Sequence, residues 1–65
     1  MMSDQQISVE LLLGDAQALA LAQLVKRIGW SEMRSLAVSE NEAYLMRDAV
    51  SEVAKALAAE GYAPR

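Results

Sequence analysis

Cysteine and histidine are both absent from this 65-residue chain, which has three glycines and a single proline. Without cysteine there is no disulfide staple, and without either residue a structural zinc site is all but excluded. Acid–base and nucleophilic chemistry is left to carboxylates, lysines, hydroxyls and tyrosines. The one close pair of carboxylates of interest, Glu40 and Glu42, is two residues apart on an expected helix, so the two point in different directions. Their place in a first helical turn is accounted for by the helix dipole. Gly14, Gly29 and Gly61 are isolated, each at an element boundary, so there is no glycine-rich phosphate loop. No stretch reaches the roughly 18 apolar residues of a membrane span, and Met1–Gln6 has neither positive charge nor a long apolar run. No signal peptide, no cofactor and no enzymatic activity are expected, and the cytoplasm is the default compartment.

What the chain has in plenty is apolar surface. Apolar residues make up 54%, with glycine not counted, against an average of about 45–50% that includes it. A single core in so short a chain rarely supplies more than roughly 3–5 kcal/mol, and small domains add disulfides, metals or a second chain. With the first two excluded, oligomerisation is the remaining staple. The net charge of −3 argues mildly against a nucleic-acid partner, since such binders are usually basic.

The pattern along the chain predicts one domain over 1–65, with frayed ends at 1–5 and 63–65. Residues 6–13 read as a strand: Ile7, Val9, Leu11 and Leu13 alternate with Gln6, Ser8, Glu10 and Leu12. Asp15 then reads as the N-cap of a helix over about 15–28, with Lys26 and Arg27 in its last turn and Gly29 as its left-handed stop. A short helix is expected at about 31–38, capped by Ser31. A long one follows at about 40–60, opened by a capping box of Ser39 and Glu42 and closed by Gly61. Tyr62 is placed to fold back on the last apolar turn. In the long helix Ala43, Met46, Val50, Val53 and Leu57 are spaced 3, 4, 3, 4, an apolar seam with Arg47, Asp48, Ser51, Glu52 and Lys55 away from it. The expected fold is thus mainly α, in the order β-α-α-α.

Three groups of residues stand out. The first is a dimer interface of Ile7, Val9, Leu11 and Leu13 with Leu21 and Leu24. A lone strand has no partner within the chain, so two copies are expected to pair their strands. The second is a set of partner contacts: Leu19 on an otherwise polar helix face, Tyr44 opposite the seam, and Trp30 after a helix-ending glycine. Trp30 reads first as a plug between helices and second as an exposed contact. The third is the basic group Lys26, Arg27 and Arg34, which reads as a solvated surface or as an anion or nucleic-acid patch.

Two resemblances follow from particular segments. The stretch from Ala16 through Ser31, that from Glu42 to Ala49, and the ending Ala59–Glu60–Gly61–Tyr62–Ala63–Pro64–Arg65 resemble short uncharacterised proteins of proteobacterial plasmids, prophages and other mobile elements. That resemblance implies a genomic context in which small acidic proteins often regulate or inhibit host defence, anti-CRISPR proteins among them. A strand, a helix and the Gly29–Trp30–Ser31 entry to the next helix resemble ribbon-helix-helix repressors, which implies a dimeric DNA reader. The expected strand, however, offers Gln6, Ser8 and Glu10 to phosphates, with no arginine or lysine. Binding of a second protein by a homodimer is therefore the leading expectation, and DNA binding the alternative.

Overall fold

Backbone hydrogen bonding, not apolar pattern, decides the fate of the first residues. The computed structural model describes residues 5–62. Among them there is no strand: residues 5–14 run without regular structure into the first of three helices. The β-α-α-α expectation, with its strand at 6–13 paired across a dimer, is corrected on this point. Alternation of Ile7, Val9, Leu11 and Leu13 is real, but a strand needs a neighbour for its N–H and C=O groups, and none of the three helices supplies one. The frayed ends expected at 1–5 and 63–65 lie, residue 5 apart, outside the described residues.

The helices are α1 (Asp15–Arg27), α2 (Trp30–Leu36) and α3 (Glu40–Ala59). Each falls within two residues of its expected bounds, yet the caps differ in instructive ways. Gly14, not Asp15, is the N-cap of α1; its N–H donates to Gln17 Oε1 at 2.8 Å, leaving Asp15 inside the first turn. Gly29 is not the left-handed stop of α1. Its backbone is extended (φ −110°), it caps α2, and its N–H donates to Glu32 Oε1 at 2.8 Å. Ser39 caps α3 as expected, accepting from the Glu42 N–H at 3.1 Å, but the Glu42 carboxylate returns to the Val38 N–H at 2.7 Å. In all three helices a polar side chain near the start thus ties down a backbone donor that the helix cannot satisfy.

The end of α3 is a Schellman turn. Gly61 has φ +93°, its N–H donates to the Ala58 carbonyl, and the Tyr62 N–H donates to the Leu57 carbonyl at 2.9 Å. The Tyr62 ring then packs on the cluster around Leu57, the contact expected at such a cap. Its hydroxyl donates to Asp15 Oδ1, which fastens the start of α1 to the end of α3.

Both α1 and α2 pack against α3. Ala18 and Ala22, one turn apart on α1, meet Leu57, with Leu21, Val25 and Val53 half-buried around them. On the other side Met33 of α2 and Ala43 of α3 are buried, Ala43 completely. The 3-4-3-4 seam of α3 is buried or half-buried at all five positions, and Arg47, Asp48, Ser51, Glu52 and Lys55 are exposed. Small side chains let the helix axes approach closely, at the cost of apolar area: three of the five buried hydrophobic residues described are alanines. The result is a slab of 37 × 27 × 16 Å, with a radius of gyration of 13.1 Å where a rounded domain of this length has about 11 Å. No helix among the described residues is long and apolar enough to cross a membrane.

Candidate functional site

The thinness of the core leaves its mark on the surface. Ile7 is 82% exposed, Val9 72% and Leu12 101%. These side chains, with Leu11 and Leu13, form one wall of an open groove of about 780 Å³. Leu21 of α1 and Val53, Ala56 and Leu57 of α3 form the other wall, and Glu52, Glu60 and Tyr62 also line it. Five of the six residues expected at a dimer interface (Ile7, Val9, Leu11, Leu13 and Leu21) therefore come together in one concave apolar surface. Leu24 does not; it is exposed on α1 and lies outside the groove wall. Sequence reasoning missed Leu12. Alternation assigned it to a polar face, and without a strand there are no two faces to alternate between.

A second exposed site forms where α2 meets α3. Trp30, the first residue of α2, is not a core plug: it stays 39% exposed and lies over Tyr44, with ring centroids 4.8 Å apart and planes tilted by 41°. Capping at Gly29 explains this, because it starts α2 at Trp30 and so sets the ring on the first turn, beside the early turns of α3. The Arg47 guanidinium sits over the other ring, 5.0 Å from the Tyr44 centroid, and is held by Asp48 Oδ1 at 3.1 Å. Stacking of two aromatic rings and a cation holds exposed apolar area in one fixed shape. Arg47 was legible in part, being three residues after Tyr44 and hence its neighbour on the helix surface. Leu36, Val38 and Leu45, all exposed, extend the apolar surface of this half of the molecule. Leu19 is exposed as expected, but it is on α1, apart from the Trp30–Tyr44 pair.

The basic group forms no such site. Lys26 and Arg27 are in the last turn of α1 and Arg34 in the last turn of α2, all exposed. None enters an ion pair among the described residues, where the two pairs seen are Arg47–Asp48 and Lys55–Glu52. The ribbon implied by the repressor resemblance has no strand to be built from among residues 5–62.

One titratable group stands clearly off its ordinary value. The Tyr62 hydroxyl is raised, first by the hydrogen bond it donates to Asp15, then by burial, then by the negative charges of Asp15 and Glu60. A phenol held more firmly protonated is a fastener, not a base. No group of three or more carboxylates among the described residues is placed to hold a metal ion.

Compared with known families, the chain matches over residues 1–65 a family described as a family of unknown function (DUF7706), and it belongs to that family. No curated protein and no solved structure matches it.

Proposed function

We propose that this member of a family of unknown function is a small non-enzymatic interaction protein, whose working unit is a homodimer and whose target is another protein. The observation that carries this reading is exposed apolar surface gathered in two places. Among the described residues Ile7, Val9, Leu11 and Leu12 line the groove and stay mostly in water, and Trp30, Tyr44 and Leu45 are exposed where α2 meets α3. A specific interface covers about 800 Å² on each partner, and apolar side chains gathered in this way, unlike scattered ones, mark such a contact.

The groove serves the dimer and the aromatic face serves the target. Aromatic residues and arginine are enriched where proteins bind one another, and Trp30, Tyr44 and Arg47 meet that description. In keeping with the resemblance to short proteins of mobile elements, the action is regulation or inhibition by covering a partner's surface. Sedimentation equilibrium at micromolar concentration should return twice the chain mass of 7.1 kDa. A monomer throughout that range would defeat the reading.

A further inference from the structure

We infer that the groove between the arm and the packed α1–α3 face is filled by residues 6–13 of a second copy, each chain of the dimer laying its arm in the other's groove. The inference rests on the dimer proposed above and names its geometry. It starts from a mismatch in the single chain: the arm lines its own groove, yet Ile7, Val9, Leu11 and Leu12 remain mostly in water. Contact with its own chain thus leaves most of the arm's apolar area uncovered, while Leu21, Val53 and Tyr62 opposite it are half-buried.

The root of the arm explains why its own chain cannot do better. Leu13 leads directly into Gly14, which caps α1 and has its N–H held by Gln17. The next residue, Asp15, is fastened to Tyr62. There is no loop between arm and helix that would let the arm close down on the α1–α3 side of the groove it lines. A hinge with no slack favours exchange of the element between copies. Length permits it: residues 5–13 reach up to about 30 Å when extended, while the α3 wall from Ala49 to Glu60 is about 17 Å long. Exchange is also self-complementary, because each copy brings one arm and one groove, so the assembly closes at two chains. Glu10 of the arm and Glu52 and Glu60 of the groove lining carry like charge, so the contact is apolar in origin and added salt should strengthen it.

The absence of cysteine makes the test clean. A Val9→Cys, Ala56→Cys double variant of the full chain is prepared with and without nitrogen-15 label, mixed, and oxidised as the dimer. Disulfide-linked peptides joining positions 9 and 56 are then weighed. Peptides carrying one labelled and one unlabelled half are the expected result. Only uniformly labelled 9–56 peptides would place each arm in its own groove and overturn the inference while leaving the dimer intact. So would the absence of any 9–56 link in a protein that still sediments as a dimer. Leu12→Asp gives an independent measure, since Leu12 is fully exposed in the single chain. It should raise the dimer dissociation constant about tenfold or more, the factor set by losing one buried leucine, with helicity unchanged. An unchanged dissociation constant would equally sink the arm exchange.

Discussion

The seam of α3 and the arm before α1 are equally regular in the sequence and opposite in outcome. Ala43, Met46, Val50, Val53 and Leu57 are buried or half-buried, whereas Ile7, Val9 and Leu11 lie mostly in water. Both patterns specify an apolar face. Only the helix brings its own backbone hydrogen bonds, so only the helix is formed before anything covers that face. A period of two is a conditional statement, which holds once a second strand exists.

The sharpest way to break this contrast is to put the same charge in both places. Ala43→Asp buries an unpaired carboxylate at a fully buried position and should cost about 3 kcal/mol or more, enough to unfold so small a domain. Leu12→Asp, measured at dilutions where the chain is single, should alter stability by no more than about 0.5 kcal/mol. Thermal melts followed by circular dichroism compare the two, and equal losses would erase the distinction between seam and arm.

Next in size is Gly61→Ala. No atom crowds the site, so the cost is that of placing a side chain at φ +93°, about 1–2 kcal/mol. A loss of that size in the melt would separate the backbone's part in the α3 terminus from the part played by packing. Trp30→Ala removes the stack on Tyr44 and should cost about 0.5–1.5 kcal/mol beyond the area it exposes. A larger loss, near that of a core truncation, would show that Trp30 belongs with the seam after all.

The smallest effect is one of pH. The Tyr62 hydroxyl has its pKa raised above the ordinary value of about 10 by donating to Asp15, so the folded state holds its proton more tightly than the unfolded state. The stabilisation is therefore whole below about pH 10 and is lost as pH rises through the higher folded value. Melting temperatures taken across that window should fall in the wild type, and Tyr62→Phe should remove this component of the fall.

Most of the helical frame was legible because its signals are local. Ser39 with Glu42, Gly61 with Tyr62, and the 3-4-3-4 seam each speak within a few residues, and each is met in the structure, save that Glu42 accepts from the Val38 N–H and not from that of Ser39. The misreadings arose where two local signals competed. Gly29 could end one helix or begin the next, and the Glu32 carboxylate three residues on decides for the second. That choice moved Trp30 from the core to the surface. Of the candidate site, the convergence of Ile7, Val9, Leu11, Leu13 and Leu21 was legible as a list of apolar faces. The pairing of Trp30 with Tyr44 was not, because it depends on how α2 lies against α3, which no spacing encodes.

The fastening of Tyr62 to Asp15 joins residues 47 positions apart, and that has a consequence for how the protein is made. A chain leaves the ribosome from its N-terminus at about 5–20 residues per second. Helix α1 is thus synthesised well before Val53, Leu57 and Tyr62, the residues it packs on, exist. Until they emerge, its alanine-rich stripe has nothing in its own chain to cover it. The nascent protein should stay unfolded, and open to holdase chaperones, up to its last turn of helix. Ribosome-stalled chains ending before residue 57 would then show no protease-resistant core, and chains that expose residue 62 would acquire one in a single step.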